Sequence, residues 1–400
     1  MKYGKLTQTA WMRSVRRQLH IEGQKTLFRP SPFETCSGLL CGSGDPAGNE
    51  ALPGDAVKGA GADGEKCFLW ADAHASGTSP QTGYYAVLQA AGELAAKGVS
   101  PAEISVRILF PPEAEEVQLK ALTAGIVSAC SRLGLTVDSF QGETTFAAAG
   151  VTVFVTAAGV AEKSRLISAE ETGTVGDIAA APSPGMSGQK SGEQEILLCG
   201  YAGLEGTLRI LDEAEEELGT RFVSTFLEQV KELSKDLVTP PQILALHRDS
   251  GRHASVGGKD SAGRTAAPRI TVMRQITGGG ILAALWELSE TLGTGFEIEM
   301  SAISLKQETV EICEFYRLNP YQMTSAGSFL IVTKDAQEAI DFLEKAGARA
   351  VRLGVTKAQN MRVITSGEEV RYLDRPAPDE LVSWMADRRR ASDNNAGRGE

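Results

Sequence analysis

The chain has few of the residues and patterns that mark several large protein classes. It has four histidines, and aromatic residues make up 6% of its 400 residues. Its six cysteines form no CxxC pair and have no histidine at zinc-finger spacing, so we interpret them as reduced thiols that mostly fill the core. No GxSxG nucleophile elbow and no P-loop occur. These absences exclude a zinc ribbon, an α/β-hydrolase and a P-loop NTPase.

The chain also lacks the charge and the apolar runs that polyanion or membrane binding requires. Forty basic against 51 acidic residues give a net charge of −11, so neither nucleic acid nor a membrane surface is an expected partner. The longest uncharged run, 144–161, contains four threonines and two glycines and predicts a buried strand. No apolar signal-peptide core follows the basic residues near the N-terminus. We therefore expect a cytoplasmic protein.

The composition is that of a folded protein of two to three domains. Apolar residues make up 42% of the chain and charged residues 23%, and the 43 glycines indicate many tight turns. A low-complexity loop at 179–194 is the predicted boundary between domains at 1–178 and 195–387. A polar stretch at 248–267 is a predicted insertion in the second domain, and 388–400 is a polar tail expected to be disordered.

The apolar patterns predict an α+β fold. In the first domain they give the order β-α-β-α-β-β, which is typical of a sheet with helices on one face. In the second domain, strands at 329–333 and 350–355 flank a helix at 336–346, which predicts a βαβ unit.

A glycine-rich segment in the second domain can bind an anion. Thr277, Gly278, Gly279 and Gly280 lie between a predicted strand at 269–272 and a predicted helix at 281–292. The free backbone N–H groups and the positive end of a helix dipole favour phosphate at such a place. The spacing alone leaves two interpretations open, a phosphate site and a purely structural turn.

Acidic residues of the first domain are candidates for a metal site. Asp72 and Glu143 follow apolar strand residues, and carboxylates that converge at strand ends can hold Mg²⁺ ions that bridge nucleotide phosphates. Isolated, solvated carboxylates are the alternative interpretation.

Several motifs together resemble those of the AIR-synthase-related proteins. This superfamily contains aminoimidazole ribonucleotide synthetase, selenophosphate synthetase, thiamine-monophosphate kinase and the hydrogenase maturation factor. The chain looks nearest to the branch of the hydrogenase maturation factor. The motifs are the segments 275–280, 283–287, 308–315, 319–321, 325–328 and 201–207, together with the opening residues 1–6.

The resemblance implies a PurM-like two-domain fold. In such proteins the N-terminal domain forms a β-barrel across a homodimer, the C-terminal domain is α+β, and ATP with Mg²⁺ lies in the cleft between them. Carried onto this chain, Gln275 and the segment 277–280 would meet the nucleotide. The implied metal ligands are Asp55, Asp72, Glu93 and Glu143.

The chain departs from the family pattern at three of these positions. Glu93 stands where the family has aspartate, Glu143 where it has aspartate or histidine, and Gln275 where it has aspartate. Because phosphoryl transfer depends on positioned metal and charge, two hypotheses follow. In the first, the chain is an ATP-dependent phosphoryl-transfer or maturation-type enzyme that activates an unidentified small-molecule or protein acceptor. In the second, it is a degenerate, non-catalytic homodimer that binds nucleotide or a partner protein.

Overall fold

The computed structural model describes residues 4–19, 27–28, 30–41, 65–167, 193–247 and 268–396, with only the backbone for the last five. Within these ranges the chain forms two mixed sheets with helices packed against them, which is the two-domain α+β architecture expected from the sequence. The predicted insertion at 248–267 and most of the predicted loop at 179–194 lie outside the described residues.

A five-stranded sheet builds the N-terminal domain, in the order β1-β2-β5-β3-β4. All neighbours are antiparallel except β3 and β4, which run parallel. The predicted β-α-β-α-β-β order is confirmed, and β1 is an added edge strand in a region expected to be loop. The bounds are β1 Cys36–Cys41, β2 Lys66–Ser76, α2 Thr82–Ala96, β3 Glu103–Phe110, α3 Glu116–Leu133, β4 Thr136–Thr144 and β5 Thr152–Glu162.

The two faces of this sheet differ sharply in burial. Along β2 every second side chain, from Cys67 to Ala75, is buried, and α2 lies over this face with nearly all its residues buried. On the other face Phe68, Phe154 and Val160 are exposed. The strands described in one chain do not close into a barrel, so the barrel implied by the family would need strands from a second copy.

A seven-stranded sheet builds the C-terminal domain, in the order β12-β11-β8-β10-β6-β9-β7. Neighbours are antiparallel except β11 and β8. The predicted βαβ unit is β9-α9-β10, but its two strands are not adjacent, because β6 lies between them and pairs with both. The strands are β6 Glu195–Cys199, β7 Ile270–Gln275, β8 Gly295–Glu299, β9 Phe329–Thr333, β10 Ala350–Lys357, β11 Arg362–Ser366 and β12 Glu369–Tyr372.

The remaining helices join the two sheets into one body. One core cluster contains apolar residues of α2 together with those of α4, α5 and α8, so the N-terminal sheet and part of the second half share a core. The bounds are α1 Gln8–Trp11, α4 Leu204–Leu218, α5 Ser224–Glu232, α6 Pro240–Leu244, α7 Gly280–Leu292, α8 Gln307–Tyr316, α9 Ala336–Lys345 and α10 Glu380–Ala396.

The C-terminal segment differs from the expectation of disorder. Residues 388–396 form the end of α10, because that helix is anchored near its start, where Leu381 and Trp384 are buried in the shared core. The side chain of Arg388 also pairs with Glu217 of α4. Residues 397–400 lie outside the described residues.

Two further expectations concern thiols and membranes. None of the six cysteines is paired, and all but Cys41 are buried, which confirms their assignment mostly to the core. Across the described ranges, none of the helices combines the length and apolarity needed to cross a bilayer.

Candidate functional site

The glycine-rich segment forms the turn between β7 and α7, as the sequence predicts. Gly279 and Gly280 have φ values of +91° and +68°, a region that side-chain-bearing residues rarely adopt. A Cβ added at Gly280 would also lie 2.5 Å from the carbonyl oxygen of Tyr321. The segment 277–280, called the glycine turn below, therefore requires glycine for its own geometry.

The glycine turn already holds an oxyanion from the chain itself. The backbone N–H of Gly279 donates to Oδ2 of Asp379 at 2.7 Å, and Oδ1 of the same carboxylate accepts from the N–H of Val382 at the start of α10. Asp379 is 2% exposed, and burial raises the pKa of its carboxyl group. Sequence reasoning missed Asp379, since nothing in the sequence brings a residue 100 positions away to this turn.

The side chain of Gln275 lies buried without a partner just before the glycine turn. It is 2% exposed, and within the described part of the chain neither its amide nitrogen nor its oxygen has a hydrogen-bond partner. The carboxamide lies against α2, where a Cβ at Gly92 would overlap it. A buried amide without a hydrogen-bond partner lowers the stability of the folded protein, so Gln275 is an unfavourable residue at this contact between the two domains.

Glu93, one residue further along α2, is also buried in the contact between the domains. Its Oε2 accepts from Oγ1 of Thr35 at 2.6 Å, and burial raises the pKa of the carboxyl group, although the hydrogen bond from Thr35 opposes this. We call the contact of α2 and residues 33–36 with β7 and α7 the domain seam.

A buried ion cluster completes the domain seam. Arg274 pairs with Glu287 of α7 and donates from Nη1 to the carbonyl oxygen of Phe33. Lys5 reaches the same carboxylate at 3.0 Å. Burial alone would raise the pKa of Glu287, but Arg274 and Lys5 lower it overall, so the carboxylate stays charged. The cluster ties the N-terminal segment and both domains together.

The predicted metal ligands are not brought together in one chain. Asp72 and Glu143 lie on the open face of the N-terminal sheet, whereas Glu93 lies on α2, which covers the opposite face. Three inter-strand steps, roughly 14 Å, separate β2 from β4. Oδ1 of Asp72 accepts from Oγ1 of Thr156. Asp55 lies outside the described residues.

A Mg²⁺ site is therefore not assembled by the described acids. Within these residues no group of three or more His, Cys, Asp or Glu side chains is close enough to hold a metal ion. The four-ligand set stays a prediction from the family resemblance, and no chemical step below is routed through it.

A second group of polar contacts joins α4 to the loop before α2. The Glu213 carboxylate accepts from both backbone and side-chain donors of Thr78 and from the N–H of Ser79. The hydroxyl of Tyr85 donates to Asp212 at 2.9 Å, and burial raises the pKa of Asp212 to about 6. The motif at 201–207 indicated that the start of α4 belongs to this region, but nothing in the sequence singled out Asp212 or Glu213.

Comparison with known families matches both domains. Residues 62–161 match the family described as AIR synthase related protein, N-terminal domain, and residues 260–366 match its C-terminal domain. Together the two matches cover just over half of the chain. Carbamoyl dehydratase HypE of Rhodobacter capsulatus is 32% identical over 123 residues, which are 29% of this chain and 36% of that protein. The alignment thus spans about a third of the length of this curated relative.

Solved structures share the two-domain fold. Hydrogenase maturation protein HypE in complex with ATP superposes with a TM-score of 0.57 at 16% identity, covering 78% of this chain and 87% of that one. AaThiL complexed with AMPPCP and TMP gives a TM-score of 0.58 at 12% identity, and the superposition covers 95% of this chain and 98% of that one. At these identities the likeness concerns the fold alone.

Proposed function

The chain belongs to the AIR synthase related proteins, and from this premise we propose that it is an ATP-using enzyme that transfers a phosphoryl group to an acceptor at the domain seam. The observation that carries the proposal is the oxyanion on the glycine turn, held at 2.7 Å by the N–H of Gly279. A phosphate oxygen has the same hydrogen-bonding character as the Asp379 carboxylate, and the N-terminus of α7 favours either anion.

The groups of this chain that would act on the phosphates are backbone donors and one cation. The N–H of Gly279 would bind a phosphate oxygen once the Asp379 carboxylate has moved away, whereas the N–H of Gly280 already donates to the carbonyl oxygen of Thr277 at 3.0 Å. Lys5 lies beside the turn, with its Cε 3.9 Å from the position of a Cβ at Gly278. Preorganised donors and a positive charge stabilise the charge that develops on a transferring phosphoryl group. The solved structures of HypE in complex with ATP and of AaThiL with AMPPCP support nucleotide binding by a protein of this fold.

We also propose that the working form is a homodimer in the cytoplasm. Exposed apolar side chains on the open face of the N-terminal sheet, among them Leu39, Phe68 and Val160, would be covered by the same face of a second copy. Such pairing would complete the barrel that the family resemblance implies. The six unpaired cysteines fit a reducing compartment.

A second candidate, a nucleotide-binding relative without catalysis, is favoured by Gln275. An uncharged, unpartnered amide stands there where the family pattern has aspartate, and it packs against Gly92 in the domain seam. This candidate keeps the glycine turn and loses the charge needed for turnover.

Calorimetric titration with a non-hydrolysable ATP analogue tests the proposal. The wild-type protein is titrated with and without Mg²⁺, and we expect saturable binding that Mg²⁺ strengthens. No binding under either condition would overturn the ATP assignment for both candidates.

Hydrolysis assays separate the enzyme from the non-catalytic relative. The double variant Gln275→Asp with Glu93→Asp restores the family's acids at two positions. A faster release of phosphate from ATP than in wild type is expected for an impaired enzyme. An unchanged rate in a variant that still binds the analogue would favour the non-catalytic relative.

A further inference from the structure

A cavity of about 370 Å³ lies in the C-terminal domain next to the glycine turn, and Gly279 is one of its lining residues. Its walls come from the first turns of α7, the segment 319–322, strands β11 and β12, and the extended chain at 373–377 that leads to Asp379. A volume of this size lies within the range of small-molecule sites.

The floor of the cavity is apolar. Leu282 of α7, Met300 and Leu373 line it, and each is packed against the core cluster beneath α7. Tyr321 adds an aromatic ring to the same wall. Such a floor favours a flat apolar body over a fully hydrated ion.

The rim of the cavity carries two arginines without partners. Within the described part of the chain, Arg371 and Arg375 form neither an ion pair nor a side-chain hydrogen bond. Arg371 pairs with Ile364 in the β11–β12 ladder, so its side chain is on the same face of the sheet as that buried residue, toward α7. Asp374 is the only other charged residue of the lining, which leaves a net positive charge there in a chain of net charge −11.

The geometry points to a binding site for a small organic anion, one that carries a phosphate or carboxylate group on an apolar ring. The ring lies on Leu282, Met300 and Tyr321, and the oxyanion meets the guanidinium groups of Arg371 and Arg375. Arginine is suited to this because its planar donors match both kinds of oxyanion in pairs. This assignment concerns binding alone and stands whether or not the chain transfers phosphoryl groups.

Calorimetry with phenyl phosphate and with benzoate, in the absence of nucleotide, tests the site in the full-length protein. We expect one molecule of each ring compound to bind per chain. The affinity for inorganic phosphate should be at least about ten-fold lower, because phosphate makes no contact with the apolar floor. The relative affinity of the two ring compounds identifies the preferred oxyanion.

Two variants place the binding in this cavity. The double variant Arg371→Ser with Arg375→Ser removes the two positive charges at the rim and should lower the affinity for phenyl phosphate about ten-fold or more. Leu282→Trp fills the apolar floor of the cavity and should weaken the binding of phenyl phosphate by a similar factor. Cooperative thermal unfolding checks that this variant folds. The matched control, Arg13→Ser with Arg17→Ser, removes two exposed arginines elsewhere and should leave the affinity unchanged.

Three results would overturn the assignment. They are no binding of either ring compound, equal affinity for inorganic phosphate, and binding that is unaffected by the arginine double variant. The last result would place the anion away from the two arginines, for example on the N–H of Gly279. Because no nucleotide is present in this test, its failure is separate from failure of the ATP titration.

Discussion

The carboxylate of Asp379 accepts a hydrogen bond from the backbone N–H of Gly279 although the two residues are 100 positions apart in the chain. Asp379 also precedes α10 and accepts from the N–H of Val382, so the N-termini of α7 and α10 share one carboxylate. Because both helix dipoles present their positive ends to it, the contact stabilises the carboxylate charge that burial opposes. The same contact occupies the donor that a phosphate would need.

Replacing Asp379 should change stability and nucleotide affinity in opposite directions. Asp379→Ala removes a buried acceptor shared by two helices, so we expect a loss of about 1–3 kcal/mol in the free energy of unfolding, measured with urea. It also frees the Gly279 N–H, and the ATP analogue should bind about ten-fold more tightly. Asp379→Asn keeps a hydrogen-bond acceptor, so both its stability and its affinity for the analogue should lie between those of wild type and Asp379→Ala. Unchanged affinity in the alanine variant would mean that nucleotide does not use this turn.

Replacing Gln275 by an apolar side chain should stabilise the protein. Gln275→Met keeps the length of the side chain and removes two buried, unpartnered polar atoms, so the free energy of unfolding should rise by about 1 kcal/mol. The control is Gln229→Met on the exposed face of α5, which should change little. A loss of stability at position 275 would show that the amide has a partner in solution.

Gly280→Ala should be strongly destabilising. The residue has a φ of +68°, and an added Cβ would approach the carbonyl oxygen of Tyr321 to 2.5 Å, so we expect a cost of about 2–4 kcal/mol in chemical denaturation. Gly142→Ala is the matched control, because nothing lies within 4 Å of a Cβ there. Equal effects at the two positions would contradict the geometry of the glycine turn.

The pH dependence of stability should report on Asp212. Its pKa in the folded protein is about 6, against a usual value of 3.8. Between these pH values the unfolded chain loses this proton while the folded protein keeps it, so wild type loses stability as pH rises from about 4 to about 6, by up to about 3 kcal/mol.

Asp212→Asn removes this titration and keeps an acceptor for Tyr85. The melting temperature of the variant minus that of wild type should therefore increase between pH 4 and pH 7. Asp138→Asn, at an exposed position of β4, is the control and should show a flat difference. A flat difference for Asp212→Asn as well would mean that the carboxyl group is solvated in solution.

The sequence by itself determined the order of the elements from β2 to β5 and the position of the glycine turn. Alternating apolar residues in β2 and the apolar run of β5 predicted strands because burial on one face requires a period of two. Three consecutive glycines predicted the turn before α7, because positive φ values need residues without a Cβ. These are local properties, so they can be read from neighbouring residues.

Only the tertiary structure decided which polar and charged groups meet. Asp379 reaches Gly279, Lys5 reaches Glu287, and Asp212 reaches Tyr85 across long stretches of chain. It also placed Asp72 and Glu93 on opposite faces of one sheet, and it made the polar C-terminal segment helical by anchoring its start in the core. Burial and electrostatic pairing depend on distances in space, and sequence spacing does not encode those distances.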